Sequence, residues 1–203
     1  ATGTAANDHL FMLGAIRVRI NLYVAFVDLR KAFDSVDRKC LFMSLIEAGL
    51  AGPFLNAIMA MYKRVVSCVR VKGHYTDFFA CEGGVKQGCI LSPALFSIFI
   101  NKLATEMQKL GKHGVQPLPG MLELFLLLFA DDWALLSSSA KGLQNQITCI
   151  NKLCEDHFLA VNAEKTKVMV FRNGGPLRKS EKWFLGSRQL EVVNSYTYLG
   201  YLF

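Results

Sequence analysis

Three aspartates in this chain could share metal ions between them. Asp28 closes the continuous apolar run 22–27, and Asp131 and Asp132 stand together where the apolar run 124–130 breaks before Trp133-Ala134-Leu135-Leu136. Crowded carboxylates raise one another's pKa or recruit a cation. Carboxylate and phosphate oxygens suit Mg²⁺, and two such ions about 4 Å apart can activate an attacking hydroxyl and stabilise a leaving oxygen in one in-line displacement. The chemistry in prospect is phosphoryl transfer. Each piece alone has an ordinary structural explanation, since Asp-Asp is common turn chemistry and an aspartate often ends a strand. The setting changes the odds, because the paired charges are clamped between two apolar segments that would form a rigid support.

For the three to meet, the intervening elements must fold the chain back on itself. Leu10, Leu13 and Ile16 recur at helical spacing, and the run 22–28 then reads as a buried strand. Residues 34–37 are turn-like, Leu41, Leu45 and Ala48 mark a helix ending at Gly49, and Gly52-Pro53 restarts one to about Lys63. Alternation over 65–71 and a returning run 75–81 predict a hairpin across Gly73. Gly83, Gly84 and Gly88 keep the next stretch open, and Ser92-Pro93 supplies an expected N-cap and first-turn proline for a helix over 94–110. Its stripe of Phe96, Phe99, Ile100, Leu103, Met107 and Leu110 is core-directed. Strands over 122–129 and 133–136 make a second hairpin around the aspartate pair. Leu143, Ile147, Ile150 and Cys154 mark a long helix to about Phe158, followed by a strand over 166–171, a loop at Asn173-Gly174-Gly175-Pro176 and a hairpin-like tail.

The order strand, helices, hairpin, helix, strand is the ferredoxin-like βαββαβ pattern, an α+β fold with an antiparallel sheet backed by helices. With the aspartate-bearing hairpin as the central pair, the end of the first strand lies beside the hairpin turn, and Asp28 comes next to Asp131 and Asp132. The pattern hosts many functions and does not choose among them.

Composition narrows the class. A chain of 203 residues that is 52% hydrophobic can bury a sizeable core, and its net charge of +7 favours polyanions, though only weakly. The longest apolar stretch is far shorter than the roughly 20 residues a membrane helix needs, and residues 1–7 lack a signal-peptide pattern. The expectation is an intracellular protein, nuclear or cytoplasmic, with no membrane partner. Six scattered cysteines without CxxC spacing read as reduced core or helix residues. The absence of an initiating methionine and the apolar end, 196–203, mark an expected fragment.

Five segments together carry a resemblance. Phe26-Val27-Asp28-Leu29-Arg30-Lys31-Ala32-Phe33-Asp34 resembles the first palm motif of reverse transcriptases from non-LTR (LINE-type) retrotransposons, and Gly84-Val85-Lys86-Gln87-Gly88-Cys89-Ile90-Leu91-Ser92-Pro93 resembles their second. Phe129-Ala130-Asp131-Asp132 resembles the third, Val161-Asn162-Ala163-Glu164-Lys165-Thr166-Lys167 the fourth, and Tyr196-Thr197-Tyr198-Leu199-Gly200 the start of the primer-contacting fifth. All occur in family order over nearly the whole chain.

The resemblance implies a polymerase palm core over about 21–173, with 174–203 beginning the primer-contacting β-hairpin region. It implies that Asp28 and Asp131 bind two Mg²⁺, with Mn²⁺ as a possible substitute, and that Asp132 completes the cluster. Phe33 matches the bulky residue that excludes a 2′-hydroxyl, against the competing reading of a core phenylalanine. Gln87 and Gly88 match the loop that approaches nucleotide and template, against simple loop flexibility, and Lys165 matches the lysine that protonates departing pyrophosphate, against a solvated face shared with Lys167 and Arg172. Lys63, Arg64, Arg70, Lys72, Arg178, Lys179, Lys182 and Arg188 flank predicted hairpins, where they would contact phosphates or serve as surface charge.

Departures from the pattern are Asn101-Lys102-Leu103, where many relatives have an acidic residue after the asparagine, and Phe129, where tyrosine is more frequent. The basic finger segment before the first motif and the thumb are expected to be absent. The implied function is RNA-directed DNA polymerisation, with an RNA template, a DNA primer and dNTP as partners. Two rivals are a non-catalytic nucleic-acid-binding remnant of a decayed element, which intact aspartates disfavour, and a palm-fold nucleotide cyclase, which the second motif disfavours.

Overall fold

The fold is α+β, as seen in a computed structural model of the chain, which describes residues 21–109, 114–115, 124–129, 131–172 and 174–203. The helix expected around Leu10–Ile16 lies outside the described residues, as do positions 122 and 123 of the second hairpin and Asn173 of the loop. Two compact units divide the chain, one of residues 1–30 and 103–203, the other of 31–102.

The first unit is built on strand β1 (Leu22–Val27), in which all six residues are buried. Antiparallel neighbours flank it on both edges: β7 (Asp132–Ser137), with Tyr23 opposite Ser137 and Val27 opposite Trp133, and β8 (Lys167–Phe171), with Leu22 opposite Phe171. Beyond β7 lies β6 (Leu126–Phe129), and beyond β8 lies β11 (Glu191–Val193), parallel to it, so the sheet order is β11-β8-β1-β7-β6. The expected central pairing of the aspartate hairpin is therefore corrected. Its strand β6 lies outside the β7–β1 pair, and β1 sits between β7 and β8, where its uninterrupted apolar sequence is buried along its whole length.

Alternation divides β1 between two cores. Leu22, Val24 and Phe26 join Ala134, Leu136, Leu127, Met169 and Tyr198 in one apolar cluster. Against β1 and β7 lies helix α4 (Ala140–Asp156; α1 to α3 belong to earlier parts of the chain), whose buried residues include Leu143, Ile147, Ile150 and Cys154. Ser139 caps it by accepting from the Gly142 N–H at 3.1 Å. Gln146 ties it to the sheet, its side-chain amide donating to the Leu136 carbonyl at 2.8 Å. The Cys154 thiol is pushed up to about 12 by burial and the nearby Glu155 charge, which suits the expected inert core cysteine.

The tail forms two small hairpins, β9 (Phe184–Leu185) with β10 (Arg188–Gln189) and β12 (Thr197–Tyr198) with β13 (Tyr201–Leu202). A buried carboxylate anchors it. Glu181, 2% exposed in its side chain, accepts from Arg172 Nη1 at 3.0 Å on both oxygens, from the Tyr23 hydroxyl at 3.0 Å and from the Arg178 N–H at 2.7 Å. Arg172 is thus committed to this ion pair and does not belong to a solvated face.

The second unit holds helices α1 (Arg38–Glu47) and α2 (Gly52–Tyr62) and most of α3 (Ser92–Lys109), within which the boundary between units falls. Asp37 caps α1 through the Cys40 N–H at 2.8 Å, and proline opens α2. Ser92 is already helical, and its hydroxyl donates to the Lys86 carbonyl, so the expected capping role is replaced by a tie to the preceding loop. The expected continuous hairpin is two short ladders, β2 (Val66–Ser67) with β5 (Phe79–Ala80) and β3 (Arg70–Val71) with β4 (His74–Tyr75). They are separated where the Thr76 hydroxyl takes the Val69 N–H at 2.9 Å, displacing a regular ladder bond.

The Glu181 network generates a stability prediction. Burial alone would push its carboxyl up, but the Arg178 N–H, the Tyr23 hydroxyl and the Arg172 guanidinium hold it below the ordinary glutamate range. Its contribution is fully present above the ordinary glutamate pKa and is lost as pH falls through the lowered value. Glu181→Gln should lower the free energy of urea unfolding at pH 7 by about 3 kcal/mol, with a smaller difference from wild type in acid. A pH-independent difference would show that the charge of Glu181 is not what matters.

Candidate active site

The last pair in the β1–β7 register is Val27 with Trp133, so the next residues along the two antiparallel strands are Asp28 and Asp132. Asp132 is itself the first residue of β7, paired with Phe129 across the hairpin, and Asp131 occupies the turn beside it. Strand register therefore brings the three carboxylates to one end of two interior strands of the sheet.

The fourth-motif segment splints that end. The Asp28 N–H donates to the Thr166 hydroxyl at 3.2 Å, and the Asp28 carbonyl accepts from the Asn162 N–H at 2.8 Å. The Arg30 N–H donates to the Ala160 carbonyl at 2.8 Å, and Leu29 bridges Val161. Thr166 is 1% exposed, so this splint is a protected one. Sequence reading assigned no role to Thr166 or Asn162.

Electrostatics reflect the crowding. Burial pushes the Asp132 carboxyl up, and the charges of Asp131 and Asp28 push it further. The Lys165 amine stands 3.9 Å from Asp28 Oδ1 on a side chain 71% exposed. Among the described residues no three His, Cys, Asp or Glu side chains are grouped closely enough to form a metal-binding set by themselves. The donor chemistry nevertheless fits a hard cation, since three carboxylates with one partly buried are electrostatically unbalanced toward positive charge.

Tyr196 also belongs to this neighbourhood. Its ring stacks on Phe26 with centroids 4.2 Å apart and planes 10° from parallel. Burial, and then the charges of Asp132 and Asp28, push its phenol up. The fifth motif contained this tyrosine, but no local spacing rule could link it to Phe26.

In the second unit the first and second motifs are stitched together. The Val85 N–H donates to the Phe33 carbonyl and the Gly84 N–H to the Val36 carbonyl, each at 2.9 Å. Gln87 Nε2 donates to Asp34 Oδ1 at 2.7 Å. Arg38 sends Nη2 to the Gly83 carbonyl at 2.7 Å and Nε to the Gly84 carbonyl at 3.0 Å. Phe33 is half-buried and its ring stacks on Phe96 at 4.6 Å.

The glycines of this loop differ. Gly88 has φ +78 and open space around an imagined Cβ, whereas Gly84 has φ +77 and would put a Cβ 2.9 Å from both Cα and O of Asp34. Gly84 is thus a close-approach glycine, a distinction the sequence left as general openness. Arg38 was missed as well, because nothing local marks an arginine at a helix start as the partner of a distant loop.

Residues 11–203 match the family described as reverse transcriptase (RNA-dependent DNA polymerase). The chain belongs to the reverse transcriptase family. Among its relatives, the Pol polyprotein of the type-1 retrotransposable element R2 from Nasonia vitripennis is 28% identical over 100% of this chain. The probable RNA-directed DNA polymerase from transposon BS of Drosophila melanogaster is 31% identical over 70%. The chain spans 20% of the first and 15% of the second. These relatives agree with the non-LTR, LINE-type resemblance read from the five motifs. Telomerases share the fold: that of Candida albicans, solved with a fragment of telomeric RNA, superposes with TM-score 0.63 at 13% identity, covering 88% of this chain and 32% of that one. Apo telomerase from Candida tropicalis gives 0.61 at 19% identity, covering 91% and 38%.

The two loop glycines of this reverse transcriptase chain should respond differently to alanine. Gly88→Ala should cost about 1 kcal/mol from backbone strain alone. Gly84→Ala should cost about 3 kcal/mol, because the methyl also meets the Asp34 backbone. Urea unfolding of both variants measures this, and an equal cost for the two would remove the close approach to Asp34 from the explanation.

Proposed function

We infer that the chain is the palm region of an RNA-directed DNA polymerase, with a ferredoxin-like βαββαβ core. It extends a DNA primer 3′-hydroxyl with dNTP on an RNA template, at a nuclear or cytoplasmic site. The observation that carries this reading is the β1–β7 register, which sets Asp28 of the first motif against Asp132 of the third.

Asp28, Asp131 and Asp132 would hold two Mg²⁺, or Mn²⁺ in their place. When bound, the ions supply activation of the attacking hydroxyl and stabilisation of charge on the leaving oxygen. The chain's own residues do the rest. Thr166 and Asn162 fix the Asp28 backbone, so its carboxylate is presented from a rigid strand end. Lys165, weakly held by Asp28 and open to solvent, supplies a proton or positive charge to departing pyrophosphate. The Asp34 carboxylate orients the Gln87 amide, which the second-motif resemblance assigns to the nucleotide and template. Phe33, braced by Phe96, is assigned by the first-motif resemblance to excluding a 2′-hydroxyl.

The chain alone should bind primed RNA weakly and extend it negligibly, because orientation of triphosphate and primer accounts for roughly 7 to 11 kcal/mol of barrier lowering and relies on more protein than this. The tests therefore use a chain extended at both ends by its flanking coding sequence. In primer extension, Asp131→Asn should abolish Mg²⁺-dependent synthesis while circular dichroism stays unchanged. Near-normal synthesis would sink the carboxylate assignment. Phe33→Val should admit ribonucleotides and change deoxynucleotide use less, with some stability lost from the Phe96 stack. Unaltered discrimination accompanied only by that drop in stability would make Phe33 a packing residue.

A further inference from the structure

Strand alternation decides what shares a face with the carboxylates. Side chains two apart along a strand point the same way, so Asp28 follows Leu22, Val24 and Phe26 onto one face of the sheet, and Asp132 shares that face with Ala134 and Leu136. The last residues of the chain pack on this face. Tyr198 is buried in its apolar cluster, and Tyr196, Leu199 and Phe203 lie against it. The fifth-motif hairpin therefore covers the core on the face where the charges begin.

Tyr196 stands at that border. Phe26 is the last apolar side chain before Asp28 on the face, and the Tyr196 ring lies parallel to it at 4.2 Å, whereas Tyr198 tilts 39° against the same ring at 5.4 Å. The Tyr196 backbone is tied as well, its N–H donating to the Phe203 carbonyl at 3.1 Å and its carbonyl accepting from the Phe203 N–H at 3.0 Å. With ring and backbone both held, the hydroxyl cannot swing away without giving up the stack. Burial, and then the charges of Asp132 and Asp28, act on this phenol in the direction that keeps its proton. A protonated phenol near two carboxylates is a donor among acceptors. No direct hydrogen bond joins them among the described residues, and a bridging water serves such a gap at nearly the same enthalpy. Mg²⁺ keeps several of its waters, so a carboxylate site for it also uses partners that hold those waters.

We propose that Tyr196 is a positioning residue of the cation site, its hydroxyl tied through water to the Asp28 and Asp132 carboxylates and holding them convergent. This rests on the reading of those carboxylates as cation ligands. It assigns the hydroxyl a role that needs no primer, which separates it from the primer contact implied by the fifth-motif resemblance.

The experiment is a Mn²⁺ titration of the 203-residue chain without nucleic acid, with free ion read from its electron paramagnetic resonance signal. Tyr196→Phe keeps a ring on Phe26 and deletes only the hydroxyl. It should weaken Mn²⁺ binding about tenfold and leave the urea midpoint unchanged. Tyr196→Leu should weaken binding at least as much and also lower the midpoint, because the stack is lost. Asp131→Asn marks the site, and it should weaken binding more than either. Unchanged affinity in Tyr196→Phe, with binding lost in Asp131→Asn, would overturn the proposal and leave the carboxylate site standing. No Mn²⁺ binding by the wild-type chain, or unchanged affinity in Asp131→Asn, would overturn the carboxylate reading and this proposal with it. A midpoint lowered as far by Tyr196→Phe as by Tyr196→Leu would make the hydroxyl a packing element and would also overturn it.

Discussion

Strand β1 is hydrogen-bonded on both edges and buried on both faces, and the position of every proposed metal-binding carboxylate follows from how it pairs with β7. A slip of one residue would carry Leu22, Val24 and Phe26 to the opposite core and separate Asp28 from Asp132. Apolar burial thereby enforces a polar arrangement: the register that best packs the sheet also crowds the charges at its end. Burial of Asp132, and then the charges of Asp131 and Asp28, push its carboxyl up and oppose folding, and the two cores supply the opposing stabilisation. The splint from Asn162 and Thr166 limits how far Asp28 can retreat from its neighbours.

The second unit solves a different problem, that of giving a glycine-rich loop one conformation. Five hydrogen bonds, two from Arg38 and one each from Gln87, Gly84 and Val85, join the second-motif loop to the segment after Asp28. The missing side chain of Gly84 admits the Asp34 backbone at a distance no other residue would allow. The flexibility implied by Gly83-Gly84 in the sequence is in this sense spent on close packing. Gly88 keeps the conformational role usually expected of such a residue.

Much of this arrangement was legible in the sequence because it is local or periodic. The run 22–27, the stripe of α3 and the helix marked by Leu143, Ile147 and Ile150 fall within a few residues of the observed elements. The ordered motifs identified the family, and the strand order already made Asp28 and Asp132 neighbours. What escaped reading was long-range and polar. Arg38 with Gly83 and Gly84, Glu181 with Arg172 and Tyr23, and Tyr196 on Phe26 join residues whose sequence neighbourhoods give no hint of the partner. Strand β11 was unforeseen for the same reason, since a three-residue edge strand carries too little alternation to announce its parallel pairing with β8.

If crowded carboxylates at the β1–β7 end form the cation site, a paramagnetic ion should report it residue by residue. Substoichiometric Mn²⁺ added to the isotopically labelled 203-residue chain should broaden the amide signals of Asp28, Asp131, Asp132 and Thr166 first, and excess Mg²⁺ should reverse the effect. Broadening spread evenly over exposed acidic residues such as Glu47, Glu82 and Glu155, with the strand-end amides no more affected than these, would contradict a cation site at the end of β1.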